Sequence, residues 1–382
     1  MQSWLEWGML PKYCRAVLLA GMLAAPAFAQ DVMVFTDGER LVGKFLRSNG
    51  ASATFKSDVL GEITVDWSKV KELQSTQAFA VIPKNVVLKR NADISKIPEG
   101  TIAVADQKIT ITPVPGQSNA QPNGQPQTVA VADAGNVIEK TTFDAEMQHN
   151  PSFLADWGGT VTAGGSLVEA TQKNETFTGA INLLRLVPDA DWLRRRNRTI
   201  VVFSTSYGTI KQPGVPTVKT EIYHAGAERD EYLSATFFAF GQASFDHNYS
   251  QGLDLQQTYA GGIGWSVIKR ANESLDLKAG VTYVRQSFTL ASADQNLEGS
   301  TFEEDFQRGF WHGTKFTEQL IIAPAWNNLD AVTATGNATL TMPVYKRMNF
   351  TLGTIDNYLH DPPTGFKKNS FQATMGLTYS LR

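Results

Sequence analysis

The sequence predicts an all-β protein, with a C-terminal antiparallel transmembrane β-barrel of about twelve strands and an N-terminal SH3-like small β-domain. Three observations predict this fold class. Apolar and polar residues alternate over runs of ten to fifteen residues after Trp157, the connections between these runs are alternately short and long, and a Pro/Gln-rich segment separates them from the N-terminal part. Strands of globular proteins have about five or six residues, whereas transmembrane strands need about nine to eleven.

Composition limits the function classes. The 382 residues are 42% hydrophobic and 19% charged, with a formal net charge of −3. These values exclude a wholly disordered chain, and the absence of long like-charge runs argues against nucleic-acid binding. The mean hydropathy of −0.20 is compatible with a membrane barrel, because every second residue of a transmembrane strand can be polar.

Residues 1–29 are typical of a secretory signal peptide. Lys12 and Arg15 precede the apolar run 16–25, and a small-x-small ending follows it, which predicts cleavage before Gln30. The alternative, a membrane anchor, fits less well because the run is too short for a spanning helix. The single cysteine, Cys14, lies in the removed segment, so we expect no disulfide, thiolate metal site or cysteine nucleophile in the mature protein.

The N-terminal part, residues 31–112, reads as one or two small β-modules. Turn signals separate its short strands: Asp37-Gly38, Asn49-Gly50 and Leu60-Gly61. Residues 79–112 are interpreted as a degenerate second copy, on a weak repeat, because Val86-Val87-Leu88 and Lys108–Thr112 again have the pattern of strands. The Pro/Gln/Gly-rich segment 113–136 predicts a flexible linker, and residues 137–382 are assigned to the barrel.

The last segment shows the alternation most clearly. Phe371, Met375 and Leu377 alternate with Gln372 and Thr374, which places the two sets on opposite faces of a sheet. Twelve strands are predicted to begin near Gly158, Glu175, Arg198, Lys219, Ser234, Gly252, Ser274, Thr301, Lys315, Ala331, Arg347 and Ser370. An even number of strands is expected of bacterial single-chain outer-membrane barrels.

Two arginines share the register of the predicted lipid face. Arg185 follows the parity of Phe177 and Ile181, and Arg285 follows that of Val281. A charge at mid-membrane on that face costs roughly 2–4 kcal/mol, and the cost fades toward the interfaces. Both arginines lie toward strand ends, so an interfacial position is predicted.

Glycine-rich motifs give the chain a family resemblance. The motifs are Trp157-Gly158-Gly159, Gly164-Gly165, Phe245-Asp246, Gly252-Leu253-Asp254 and Gly261-Gly262-Ile263-Gly264, with Asp31-Val32, Asp37–Leu41, Gly43-Lys44 and Gly61–Trp67 in the N-terminal part. In this order they resemble the salt-induced outer-membrane protein family, domain of unknown function 481, including the N-terminal module of its longer members. The resemblance implies an outer-membrane β-barrel linked by name to salt stress, and it implies no reaction or ligand.

The leading hypothesis is a non-enzymatic barrel for envelope maintenance or passive passage, with no catalytic residue, cofactor or metal. Its expected partners are outer-membrane lipid, the barrel-assembly machinery and a periplasmic partner of the N-terminal module, and no nucleic acid is expected. One alternative is a hydrolase at the barrel rim that uses His247 with Asp246, or His360 with Asp361. A second alternative is a scaffold that binds its partner through residues 31–116.

Overall fold

The computed structural model describes residues 30–90, 94–114, 125–169, 173–212, 214–270 and 272–381. The chain forms two compact units, Met1–Gln148 and His149–Arg382. The predicted signal peptide and Cys14 lie outside the described residues. Within these ranges, no helix is long and apolar enough to cross a membrane.

Unit 1 contains nine strands in one sheet. Their bounds are β1 Asp31–Phe35, β2 Arg40–Ser48, β3 Ser52–Ser57, β4 Gly61–Asp66, β5 Val70–Pro83, β6 Glu99–Ala105, β7 Lys108–Thr112, β8 Gln127–Ala130 and β9 Ala134–Glu139. The strand order is β4-β3-β2-β1-β5-β6-β7-β8, and β9 pairs with both β2 and β5. The small N-terminal β-module is therefore confirmed, and the segment 79–112 continues its sheet through β5, β6 and β7.

The core of unit 1 is apolar and aromatic. Phe45 packs between Trp67 and Phe79, with ring-centroid distances of 6.2 and 5.1 Å. The helix α1, Lys140–Gln148, follows β9. Although partial burial lowers it, the carboxylates of Asp144 and Glu99 raise the pKa of the Lys140 ammonium above its ordinary value.

The predicted linker is shorter than the segment 113–136. Residues 127–139 form β8, a 3-10 turn and β9, and they belong to the sheet of unit 1. Val131, Ala134 and Val137 are buried in its core, which explains why this part folds. The polar residues that suggested a flexible linker lie mostly at 115–124, outside the described residues.

Unit 2 is a closed antiparallel barrel of twelve strands, as predicted. The strands are β10 Trp157–Glu169, β11 Lys173–Val187, β12 Asn197–Gln212, β13 Val215–Tyr232, β14 Phe237–Asn248, β15 Leu253–Arg270, β16 Glu273–Phe288, β17 Gln295–Gly309, β18 Lys315–Pro324, β19 Val332–Tyr345, β20 Met348–Leu359 and β21 Asn369–Ser380. Each strand pairs with its neighbours in sequence, and β10 pairs with β21 to close the ring. Most predicted starts agree within three residues, but β17 begins six residues earlier than expected and β13 four.

The outer face of the barrel is apolar and exposed. In β21, Phe371, Met375 and Leu377 are 63%, 64% and 54% exposed, which confirms the predicted face. Exposed apolar side chains on a closed barrel are the surface that a lipid bilayer covers. Bulges change the parity in places, because the register of β15 shifts between Leu253 and Leu255 and turns Leu253 inward.

Arg185 has the outward register and is nevertheless only 5% exposed. Its guanidinium donates to the carbonyls of Ala155 at 2.9 Å, Ser152 at 2.8 Å and Pro151 at 3.3 Å. The Phe153 ring lies 5.8 Å away. The segment 151–155 therefore covers the guanidinium on the outside of the barrel, and three backbone carbonyls stabilise its charge. The interfacial position of Arg185 stays a prediction.

Replacing Arg185 by methionine should free the segment 151–155. Each hydrogen bond to a charged group contributes about 1.5–3 kcal/mol, so local opening should become tenfold or more frequent, roughly. Hydrogen–deuterium exchange of residues 151–157 measures this. Arg285→Met is the control, because Arg285 is an exposed outward arginine on β16; equal exchange in both variants would contradict the assignment.

Candidate functional site in the barrel lumen

The barrel has two ends. The terminal end is the one at which β10 begins and β21 ends, and the loop end is the opposite one. Inward side chains are identified by the paired registers, since residues opposite each other on neighbouring strands point to the same face. The candidate site comprises the inward side chains and the loop that crosses the mouth.

Seven charged inward side chains form the lumen ion-pair cluster near the terminal end. Its members are Arg198, Glu228, Asp230, Asp276, Lys278, Glu303 and Asp305. Lys278 on β16 is at its centre, with its Nζ 2.5 Å from Glu228, 2.9 Å from Asp305 and 3.2 Å from Glu303. The Lys278 side chain is 1% exposed, so three carboxylates surround a fully buried ammonium group.

Arg198 on β12 holds the other half of this cluster. Its Nε lies 2.5 Å from Asp230 and its Nη1 lies 2.9 Å from Asp276. Asp276 belongs to β16, four strands away in the ring, while Lys278 reaches Glu228 on β13. These contacts cross the lumen directly, so its interior between β12 and β17 is filled at this level.

Two buried phenylalanines complete the filled region. Phe238 and Phe240 on β14 are 0% and 5% exposed. The Arg198 guanidinium lies 5.5 Å from the Phe238 ring, and the Lys278 ammonium lies 5.6 Å from the Phe240 ring. These distances are within the range of cation–π attraction. Phe238 fits because its partner across the strand pair is Gly264, where a Cβ would approach the ring to 2.2 Å.

Gly264→Ala should therefore destabilise the barrel. The added methyl group must displace a buried ring, and overpacking of this kind costs about 1–3 kcal/mol. The urea midpoint of the refolded protein measures the change. Gly241→Ala is the matched control, because a Cβ at Gly241 meets nothing within 4 Å. A barrel that tolerates both changes equally would disprove close packing around Phe238.

A short loop crosses the mouth at the loop end. We call residues 248–252, which connect β14 to β15, the mouth strap. Gln251 is 3% exposed, and its amide donates to the carbonyls of Asn357 at 3.1 Å and Lys368 at 2.9 Å. These acceptors belong to the end of β20 and the start of β21, on the opposite side of a ring of twelve strands. The mouth strap therefore spans the barrel opening.

The mouth strap is held by its own geometry as well. Asn248 donates to the Gln251 side chain at 2.8 Å, which orients the amide. Gly252 has a φ of 65°, and a Cβ there would meet the Phe366 ring at 2.7 Å. Leu253, Phe288 and Leu359 form a buried apolar cluster beside it. Only glycine combines this backbone conformation with that close approach.

The opposite half of the lumen wall is different. On β10 and β18–β21 many inward residues are small or amide-bearing and half-buried: Thr162, Gly164, Gln319, Asn337, Thr339, Thr351, Gly353, Thr374 and Gly376. Ile321 and Ile355 also have the inward register, and Thr378 is buried. Neighbouring hydroxyls bond to each other, as in Thr162–Thr378 at 2.7 Å and Thr351–Thr378 at 2.6 Å. Along the described wall, Asn337 Oδ1 and Gln372 Nε2 have no protein partner. Buried polar atoms of this kind are usually satisfied by water.

The histidines contact partners other than those that the hydrolase hypothesis assigns to them. Asp246 points inward and its carboxylate lies 2.6 Å from Nδ1 of His224 on β13. His247 points to the other face of the strand, and its Nδ1 lies 2.7 Å from the Asp254 carbonyl. His360 Nδ1 lies 2.9 Å from the Tyr358 hydroxyl. The structure thus separates Asp246 from His247. Among the described residues, no group of three or more His, Cys, Asp or Glu side chains could hold a metal ion.

A closed ring of twelve antiparallel strands with an apolar outer face defines a transmembrane β-barrel, the class of protein found in bacterial outer membranes. A family model described as "Protein of unknown function, DUF481" matches residues 161–381. The chain belongs to this family, which confirms the resemblance; the description carries no link to salt.

Solved structures of similar shape are outer-membrane barrels. They include an outer membrane channel from Pseudomonas putida F1, at 12% identity and a TM-score of 0.36, covering 61% of this chain and 98% of that one. The translocator domain of the autotransporter NalP from Neisseria meningitidis has 10% identity and a TM-score of 0.34, with coverages of 63% and 92%. At these scores the likeness carries no functional argument. No curated protein matches the chain.

Proposed function

We propose that the barrel is a narrow passive channel for small polar solutes in the outer membrane. The asymmetric lumen is the observation that supports this proposal. Near the terminal end, side chains fill the half between β12 and β17, whereas the half formed by β10 and β18–β21 has many small polar residues that are only half-buried. A purely structural barrel has no need of an accessible hydroxyl-lined wall, because a barrel of this size can be filled by its own side chains.

The proposal includes an orientation. An even number of strands brings both ends of the barrel chain to one side, and in bacterial outer-membrane barrels that side is periplasmic. The terminal end and unit 1 then face the periplasm, and the mouth strap faces outward. In this orientation the mouth strap limits entry from outside. A link between passage and salt or osmotic stress rests on the family resemblance alone and stays a prediction.

Planar-bilayer conductance of the refolded protein tests the proposal. We expect small, stable ohmic steps, because the accessible half of the lumen is narrow. Efflux of small sugars from liposomes, with larger sugars retained, would support passage of uncharged polar solutes as well. Absence of both conductance and efflux, in protein whose barrel is shown to be folded by heat-modifiable migration, would overturn the channel function.

A further inference from the structure

On the outer face of β18–β21, small side chains lie next to one another in a row across the strands, and a carboxylate stands at one end of this row. In register, Glu318 pairs with Ala338, Ala338 with Thr354, and Thr354 with Ala373. The next row toward the terminal end consists of large apolar residues: Phe316, Leu340, Leu352 and Met375. The step between the two rows forms an apolar groove of about 320 Å³ on the outer surface. Ala338 lines one extremity of the groove, and Glu318 lies just beyond that extremity as the register partner of Ala338.

The distance of the groove from the terminal end increases from β18 to β21. Glu318 is the fourth residue of β18 from that end, whereas Ala373 is the eighth residue of β21 from it. One extremity of the groove therefore lies near the membrane boundary and the other lies deeper in the hydrocarbon. A phospholipid has this arrangement of parts, with a polar headgroup at the boundary and an acyl chain that enters the apolar layer.

The charges beside the groove indicate which kind of lipid headgroup it would bind. Glu318 is exposed on the outer face, and Glu304, also outward on β17, lies one row away from it. In the described part of the chain neither carboxylate forms an ion pair, unlike the outward Arg229, which pairs with Glu231 at 2.7 Å. Carboxylates facing lipid are costly unless a cation meets them, so the pair favours an ammonium group and repels an anionic headgroup.

We propose that this groove is a binding site for a phospholipid with an ammonium headgroup, a phosphatidylethanolamine. Its ammonium group contacts Glu318 and Glu304, and one acyl chain lies over Ala338, Thr354 and Ala373. The small side chains of these residues provide the space for the chain, and the larger row below them provides its wall. The site is separate from the lumen and does not depend on whether the barrel conducts.

Lipid retention tests the site. The full chain is refolded into vesicles of equimolar phosphatidylethanolamine and phosphatidylglycerol with identical acyl chains, extracted in mild detergent, and its retained lipids are counted by mass spectrometry. We expect phosphatidylethanolamine to be enriched about fourfold, the effect of one unit charge at about 5 Å in water. Glu318→Gln should bring the two lipids close to equality, and Ala338→Leu should lower the retention of phosphatidylethanolamine by filling the groove.

Two variants serve as matched controls. Glu298→Gln removes an outward carboxylate from β17 near the loop end, and Ala225→Leu enlarges an outward alanine on β13; both should retain lipid like the unmodified chain. Equal retention of the two lipids by the unmodified chain would overturn the proposal. So would an enrichment that survives Glu318→Gln, or one that Glu298→Gln removes equally well.

Discussion

Gln251→Ala is expected to increase conductance more than any other single change in the lumen. The variant removes two hydrogen bonds that tie the mouth strap to the opposite wall, at 3.1 and 2.9 Å. At about 1 kcal/mol each, their loss should shift the ratio of open to closed mouth roughly 30-fold. In planar bilayers this appears as a higher open probability or as larger steps, with the barrel itself intact.

The control for this change is a glutamine on β15, the strand that follows the mouth strap. Gln257 is an outward residue of β15, so Gln257→Ala removes an amide of the same size from the lipid-facing side. Its conductance should equal that of the unmodified chain. If Gln251→Ala also conducts like the unmodified chain, the mouth strap is not a barrier to passage.

The barrel could be predicted from the sequence because alternation is a local property. The outward set Phe371, Met375 and Leu377 needs no knowledge of the rest of the fold, and it is exposed as expected. The predicted start of β17 is wrong because residues 295–300 are mostly polar and resemble a loop, yet they pair with β16. Pairing partners, rather than composition, decide such a boundary.

The lumen cluster was missed for a different reason. Its charges occur as pairs two residues apart, Glu228/Asp230, Asp276/Lys278 and Glu303/Asp305, which places both members of each pair on one face of a strand. That spacing is visible in the sequence and would have indicated a charged lumen. Partners on neighbouring strands, such as Arg198 and Asp230, follow from the register once the strands are paired. The contacts of Arg198 with Asp276 and of Lys278 with Glu228 are not visible in the sequence, because they join strands three or four positions apart in the ring.

The mouth strap illustrates the same limit. Gly252 and the short polar segment before it indicate a turn, and the sequence correctly places a connection there. Nothing local indicates that Gln251 turns inward to reach carbonyls more than a hundred residues later. The pairing of Asp246 with His247 in the hydrolase hypothesis has no support for a related reason, since the two residues are adjacent in sequence and point to opposite faces of β14.

Lys278→Met is expected to destabilise the barrel by about 3–5 kcal/mol, because it leaves buried carboxylates without their counter-ion. Glu228, Glu303 and Asp305 all lie within 3.2 Å of the Lys278 ammonium, so all three lose their closest cation at once. Urea unfolding in lipid vesicles, followed by heat-modifiable migration, measures the loss.

Two comparisons separate the buried charge from a general effect of removing a cation. Arg270→Met breaks a pair with Glu273 in which Arg270 is 72% exposed, and exposed pairs contribute only about 0–1 kcal/mol. Adding Glu228→Gln and Glu303→Gln to Lys278→Met removes two of the carboxylate charges that have lost their counter-ion. The triple variant should therefore recover most of the lost stability, since the effects of mutations within one network are not additive. If Lys278→Met and Arg270→Met were equally mild, the cluster would be hydrated rather than sealed, and the lumen between β12 and β17 would itself be open to water.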